Sequence, residues 1–502
     1  MTTNILANVV GRAWGVISVY LFVPVYLKFL GIEAYGLVGF YSLLIGVVAF
    51  ADAGFTATLN REMARLSVLD DTGREMGALL RTYEILYGLI SLMLSLAIWF
   101  TAPIIAARWL RSNTLGAGDI IASIRLMGLA VAFQLPAGLY IGGLMGLQRQ
   151  IVTNLLQMSW SLLRGLGAVF VLWLLSPTIQ AFLLWQLVSN VVYCYGARSL
   201  LWRSLSCQDF QPAFEWVVVR KTWRYAAGMA GMAGISILLT QVDKVIVSKT
   251  LSLEIFGFYT LASTVAMAPL MLASPIGAAV SPRFTGLVAK GDRAGLISLY
   301  HNTCALVAVA VIPAGLTLAL FAADFILAWT GSGAAAARAG FVAALLLAGQ
   351  LMQAVAIVPY YVALAHGDVR LYLYIGILSV VALTPLMIIL IAKVGIVGAG
   401  LSWLIMNVCT LPFYLFFIHK RFLAGELRRW YMRDIGLPLV ATLPCVLVGR
   451  WLLPHSASRV VTLCGIGFVW AGAVVLSVLC VAPLRQAVRD NARRLRGLLD
   501  GN

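Results

Sequence analysis

The sequence predicts an all-α polytopic membrane protein of about fourteen transmembrane helices: two parallel six-helix repeats and two C-terminal helices, both termini cytoplasmic. Three observations predict it. The 502-residue chain is 62% hydrophobic and 11% charged, and its apolar stretches reach the roughly 20 residues that cross about 30 Å of hydrocarbon. Shifted by 221 residues, the sequence matches itself. Its basic residues fall mostly on alternate loops, which orients the spans.

In order, the apolar stretches cover 5–29, 36–60, 82–106, 119–147, 152–175, 179–202, 224–249, 254–282, 297–321, 338–365, 371–393, 395–418, 435–453 and 459–482. The first is too long for a signal-peptide core and lacks a basic leader, which predicts that it stays in the membrane. With the N-terminus inside, cytoplasmic loops hold 24 of the 36 Lys and Arg. Outer loops hold eight: Lys28, Arg108, Arg111, Lys249, Arg338, Lys393, Arg450 and Arg459. That bias predicts both termini inside. The formal charge of +17 is then chiefly a topology signal, with a lesser reading as attraction to anionic membrane lipid. No nucleic-acid partner is expected.

The repeat is carried by several stretches. Lys28-Phe29-Leu30-Gly31-Ile32-Glu33-Ala34-Tyr35-Gly36 returns as Lys249-Thr250-Leu251-Ser252-Leu253-Glu254-Ile255-Phe256-Gly257. The same offset pairs Gly128 with Gly349, Tyr140 with Tyr361, Gly146 with Gly367 and Arg149 with Arg370. Six spans precede the boundary, an even number, so both copies enter the membrane from the same side. The expected organisation is an N-lobe over 1–203, a cytoplasmic linker over 204–223, a C-lobe over 224–420, and a final pair of helices with a basic tail over 421–502. The stretch 485–496 reads as a basic amphipathic helix on the inner membrane surface.

Several spans carry breakers. Pro24, Pro136, Pro269, Pro275, Pro313 and Pro385 are each expected to bend a helix. Gly228, Gly231 and Gly234 alternate with Ala227, Ala230 and Ala233 in span seven, a pattern that suits either close packing or flexing during transport.

Enzymatic chemistry is poorly provided for. The longest loops, 61–81, 203–223 and 419–434, have no room for a catalytic domain. Outer-loop carboxylates are Glu33, Asp119, Glu254 and Asp324, dispersed and without a D-x-D pair. The four histidines (301, 366, 419, 455) do not cluster in sequence, and the seven cysteines show no metal spacing. The expectation is a protein with no catalytic residues, no metal and no cofactor, though a coupling H+ or Na+ is left open.

Charges within spans need a reason, because each costs about 2.5–3.5 kcal/mol on insertion scales. Arg164 is the deepest, about twelve residues into span five. Arg12 and Asp52 lie at similar depth on adjacent spans, where an ion pair and a ligand site are both open readings. Asp243 and Lys244 are neighbours near the outer end of span seven, and Arg125 lies near the outer end of span four. For Arg125 and Lys244 the competing reading is snorkelling toward the interface. More than a turn from their ends, the first six spans thus hold three arginines against one carboxylate, a balance that suits an anionic substrate, since Arg binds phosphate in bidentate fashion. Arg164, Arg12, Arg125 and Lys244 are the candidate substrate-binding cations; Asp52 and Asp243 are the candidate coupling or ion-pair carboxylates.

Leu30-Gly31-Ile32-Glu33-Ala34-Tyr35-Gly36, then Asp52-Ala53-Gly54-Phe55 and Asn60-Arg61-Glu62-Met63-Ala64-Arg65, resembles the opening of bacterial polysaccharide flippases. Gly146-Leu147-Gln148-Arg149 with Asn154 and Arg164, and Asp243-Lys244 followed by Gly257-Phe258-Tyr259-Thr260-Leu261-Ala262, resemble later segments of that family. The likeness covers about residues 5–420. These are the O-antigen and exopolysaccharide exporters of the multidrug/oligosaccharidyl-lipid/polysaccharide superfamily. The resemblance implies two six-helix lobes around a central cavity in the bacterial inner membrane. It also implies movement of undecaprenyl-diphosphate-linked repeat units between leaflets, with Arg164 and Arg12 as best-matching partners of the diphosphate. Membrane lipid and a polysaccharide polymerase or chain-length machinery are the other implied partners. Two alternatives within the superfamily stay open: a small-molecule antiporter, disfavoured by the deep arginines, and a lipid II flippase, which also has fourteen spans.

Overall fold

The computed structural model describes residues 2–52, 54–69, 72–205, 212–368, 370–453 and 458–481; the side chains of 2–13, 16, 232, 235, 236 and 239 are outside this description. The expected tail helix at 485–496 lies outside the described residues. Those described are helical nearly throughout, with no strand among them and one isolated bridge, between Arg111 and Ser252. Among the described residues eleven helical segments are long and apolar enough to cross a membrane, which makes this a multi-pass membrane protein. The chain divides into two compact units, Met1–Gly257 and Phe258–Asn502.

The first unit opens with α1 (Thr2–Val48), which takes in expected span one and most of span two. Only Gly31 breaks it, with φ 77°, ψ 171°, a conformation that glycine adopts without a Cβ penalty. Span two does not run on to residue 60 as one helix. A 3-10 turn at Ala49–Asp52 and Gly54, at φ 72°, separate α1 from α2 (Phe55–Leu66). Then follow α3 (Gly73–Arg108), α4 (Ala117–Gly146), α5 (Gln150–Phe170, prolonged by the π-turn Val171–Leu175), α6 (Ile179–Arg203) and α7 (Trp216–Thr250). α6 and α7 are not among the eleven apolar segments. They carry more polar residues, including Gln186, Asn190 and Arg198 on α6 and Arg220, Lys221, Arg224 and Asp243 on α7.

α4 is the centre of this unit, packed on α2, α3 and α6, while α1 packs on α5 and α7. The buried core between them includes Leu59, Met63, Leu80, Tyr83, Tyr87, Leu144, Tyr193 and Leu201. A Cβ on Gly146 would stand 2.4 Å from the carbonyl oxygen of Asn60, so only glycine lets α4 approach α2 this closely. α7 runs unbroken through its Gly/Ala stripe. Of the stripe's glycines Gly234 lies against the Phe50 ring, Ala230 N comes within 3.0 Å of where a Cβ on Gly54 would stand, and Gly228 and Gly231 have nothing within 4 Å among the described residues.

The two copies of the repeated motif meet at one end of this unit, and they meet reciprocally. A Cβ on Gly36 would lie 2.4 Å from the Leu253 oxygen, and one on Gly257 would lie 2.3 Å from the Ile32 oxygen. Residues 32 and 253, and 36 and 257, are themselves repeat equivalents. The motif's Glu33 accepts hydrogen bonds from the backbone N–H of Asn113 (2.7 Å) and of Thr114 (3.1 Å), and from the Thr114 hydroxyl. Leu253 N–H donates to Arg111 O at 2.7 Å, and Trp109 Nε1 donates to Ser248 Oγ at 3.1 Å. Residues expected on one side of the membrane therefore share one end of the unit.

α8 (Leu253–Ala266) crosses the unit boundary and stops before α9 (Ala268–Lys290), whose Pro269 occupies the first turn, where a missing N–H costs no helical bond. Pro275, Pro313 and Pro385 remain inside continuous helices, as do Pro24 and Pro136 in the first unit. The second unit continues with α10 (Arg293–Leu320), α11 (Ala322–Thr330), α12 (Gly333–Val355), α13 (Ile357–Ala365), α14 (Arg370–Val394) and α15 (Ile396–Phe422). α16 (Leu427–Arg429) runs through the π-turn Trp430–Gly436 into α17 (Leu437–Leu452), and α18 (Arg459–Cys480) completes the unit. α12 packs on α10 and α15, and α14 on α15. The final pair is built in: α17 and α18 pack on each other and on α10, burying Phe321, Val446, Ile466, Val469 and Ala473 together. Arg450 of α17 pairs with Asp324 of α11.

Candidate functional site

Arg164 lies on α5 within the segment Arg164-Gly165-Leu166-Gly167, and the glycines explain how it is held. The Phe22 ring of α1 presses on Gly165 and the Trp185 ring of α6 on Gly167, each 2.1 Å from where a Cβ would stand. The two neighbouring helices thus close on α5 beside the arginine. Its Nε donates to Gln186 Oε1 at 2.5 Å, and its guanidinium carbon lies 5.3 Å from the centre of the Trp160 ring. Trp160 in turn stacks on Tyr193 at 4.5 Å. Among the described residues Arg164 makes no ion pair, so the positive charge is oriented but not neutralised. Tyr26, whose hydroxyl donates to Gly165 O at 3.4 Å, and Tyr41 are both within electrostatic reach of it.

Amides continue this polar patch. Asn190, one turn from Gln186 on α6, donates through Nδ2 to Ala130 O at 2.9 Å and to the Tyr41 hydroxyl at 3.0 Å. Tyr41 donates to Gln134 Oε1 at 3.5 Å. Gln186 and Asn190 are both fully buried, and Gln186 Nε2 and Asn190 Oδ1 have no hydrogen-bond partner among the described residues. These amides were missed in the sequence. The signal was available: two amides spaced i, i+4 in an apolar span mark one polar helix face.

The other candidates stand apart from Arg164. Arg125 of α4 covers the Trp99 ring of α3 at 4.7 Å, and its Nε is buried without a hydrogen-bond partner among the described residues. Lys244 Nζ donates to Gln241 Oε1 at 3.4 Å, and Gln241 packs against Gly46 of α1. Asp243 is half-buried beside it on α7. Asp52 accepts hydrogen bonds from the hydroxyls of Thr56 and Tyr87, and more weakly from Thr56 N at 3.4 Å. The Asp52 carboxylate therefore helps start α2 where the sequence reading has an unbroken span. The Arg12 side chain lies outside the described residues, so its pairing with Asp52 rests on sequence alone. No hydrogen bond or ion pair among the described residues joins any two of Arg164, Arg125, Lys244 and Asp52.

A second ionic cluster escaped the sequence reading. Glu84, at the start of span three, has a side chain only 6% exposed. It accepts from Trp202 Nε1 (2.7 Å), Arg198 Nε (2.9 Å), the Tyr140 hydroxyl (3.0 Å) and an Arg81 amine (3.1 Å). Four donors on α3, α4 and α6 satisfy one carboxylate, which makes Glu84 a tie between helices. In the second unit a cavity of about 370 Å³ lies between the α9–α10 turn and the ends of α13 and α15, with Arg293, His366 and Arg421 on its wall. It contains none of the candidate residues.

Four similarities to known proteins bear on this arrangement. The family model described as polysaccharide biosynthesis protein matches residues 1–288. A Shigella flexneri protein named for O-antigen transport is 21% identical over 385 residues, spanning 74% of this chain and 87% of that protein. Among solved structures, the lipid II flippase MurJ in an inward closed conformation superposes with a TM-score of 0.70 at 14% identity, covering 95% of this chain and 98% of its own. An inward-facing multidrug transporter of the MATE family, in the MOP superfamily, gives 0.69 at 14% identity, over 82% of this chain and 95% of its own.

Proposed function

Because the chain belongs to the polysaccharide biosynthesis protein family, we propose that it is a flippase for undecaprenyl-diphosphate-linked oligosaccharide repeat units. It carries them from the cytoplasmic to the periplasmic leaflet of the bacterial inner membrane, by alternating access through a cationic central cavity. The observation that carries this reading is Arg164: a cation within an apolar helix, aimed by Gln186 and Trp160, with no carboxylate on it among the described residues. A guanidinium with most of its donors free suits a diphosphate, whose paired oxygens match its fork. Arg12, Arg125 and Lys244 would add positive potential along the path rather than one tight site.

The energetics fit such cargo. A diphosphate with two negative charges gains roughly 5 kcal/mol on moving outward across about 100 mV, at about 2.3 kcal/mol per charge. Binding need only offset headgroup desolvation, and a few separated cations do that without trapping the substrate. No covalent step is required, so the protein acts as a transporter rather than an enzyme. If a proton or sodium ion is countertransported, Asp52 and Asp243 are the carboxylates to carry it. A polysaccharide polymerase or its chain-length partner would receive the product.

The test replaces Arg164 with alanine and with lysine and measures surface polysaccharide alongside membrane insertion. Arg164→Ala is expected to insert normally and abolish export, while Arg164→Lys retains part of it. Full export by a correctly inserted Arg164→Ala variant would remove the residue from the site.

A further inference from the structure

The second unit holds two buried histidines within one cluster, and their surroundings differ in kind. His419 of α15 places Nδ1 2.7 Å from Leu415 O and Nε2 2.9 Å from the Tyr300 hydroxyl. A neutral imidazole satisfies both: its N–H donates to the carbonyl, and the bare nitrogen accepts from the tyrosine. His301 of α10 instead places both ring nitrogens on carboxylates, Nδ1 2.5 Å from Asp434 Oδ2 and Nε2 2.9 Å from Glu426 Oε2. A neutral ring has one N–H. With both carboxylates ionised, its other nitrogen would direct a lone pair at the lone pairs of an anion, in a place where His301 is 4% and Asp434 5% exposed. The geometry requires one proton more than neutral histidine and two carboxylates supply.

We propose that His301, Asp434 and Glu426 form a proton-binding site whose shared proton clasps the C-terminal helix pair to the second unit. Charge supports the count. An imidazolium offsets one carboxylate, and Arg429, 3.9 Å from Glu426, offsets the other, so the protonated cluster sums to zero and the deprotonated one is a buried net anion. The titratable and charged neighbours are Tyr300 and Cys304 on α10 itself, His419 on α15, and Glu426, Arg429 and Asp434 on the stretch leading into α17. Glu426, with 22% of its side chain exposed, is the edge through which the proton exchanges with water.

The site also falls where a clasp is needed. Glu426 and Asp434 lie beyond the duplicated part of the chain, and His301 lies within it. On the 221-residue register the first copy has fully buried Leu80 in place of His301. Histidine thus occurs in the copy to which the extra helices are attached. The proposal holds whatever the cargo of the transporter.

The full-length protein in lipid nanodiscs, with ring-nitrogen-15 histidine, tests it directly, because the chain has only four histidines. At pH 7.5 one ring is expected to show both nitrogens protonated, and His301→Gln removes that signal. Asp434→Asn is expected to leave His301 with one protonated nitrogen. Backbone hydrogen exchange over 426–440 should rise at least tenfold in His301→Gln, or in Glu426→Gln should the first variant misfold, with exchange in α1–α7 unchanged. A His301 ring with a single protonated nitrogen at pH 7.5, or unaltered exchange over 426–440 in a folded variant, overturns the proposal.

Discussion

Three polar residues within the spans illustrate three ways of holding charge in hydrocarbon. Arg164 is oriented but not neutralised, which suits a substrate contact. Glu84 is saturated by four donors, which suits a tie. Replacing Glu84 with alanine leaves those donors without their acceptor and is expected to cost about 3 kcal/mol, with Glu84→Gln milder because an acceptor oxygen remains. Thermal melting of the purified protein checks this, and equal melting of wild type and Glu84→Ala would refute it. Asp52 is intermediate, since Thr56 and Tyr87 occupy it whether or not Arg12 does. Exchanging the pair as Arg12→Asp with Asp52→Arg is therefore expected not to restore export, whereas Asp52→Asn, still an acceptor, keeps part of it. Transport assays on inserted protein decide, and rescue by the exchange would make the two a simple ion pair. Arg164 was legible in the sequence because depth alone makes an arginine costly. Gln186 and Glu84 were not, because their importance lies in partners on other helices.

At the scale of elements, small residues decide where helices meet. The repeated motif is visible in sequence, but its use is not: Gly36 and Gly257 each bring a helix onto the backbone of the other copy. Gly36→Ala and Gly257→Ala are each expected to destabilise by about 1–3 kcal/mol, as overpacking does. The two costs should be similar, because the contacts are equivalent under the repeat. A cost from only one of them, measured by melting, would show that the contact is not reciprocal in solution. Span two was expected as one helix, yet Asp52 and Gly54 interrupt it. Apolar length predicts that a segment crosses the bilayer, while the D-x-G turn within it is a local hydrogen-bonding choice that hydropathy does not register.

For the whole molecule, the final helix pair is the part whose role sequence left blank, and the structure packs it on α10 and α11 within the second unit. Arg450 and Asp324 join α17 to α11. Asp324→Arg alone is expected to lower melting by the equivalent of about 1 kcal/mol, since the pair is partly exposed, and adding Arg450→Asp should recover most of it. No recovery in the double variant would mean that these side chains act separately. Sequence by itself determined the class of molecule: a helical, multi-pass membrane protein, duplicated, basic, and with arginine where the bilayer resists it. Those properties follow from composition, period and charge, which are additive along a chain. Tertiary structure alone decided which groups share a proton, which carboxylate is saturated and which glycine touches which backbone. Such facts depend on groups far apart in the chain meeting in space, as His301 and Asp434 do at 2.5 Å, and linear spacing carries no record of that distance.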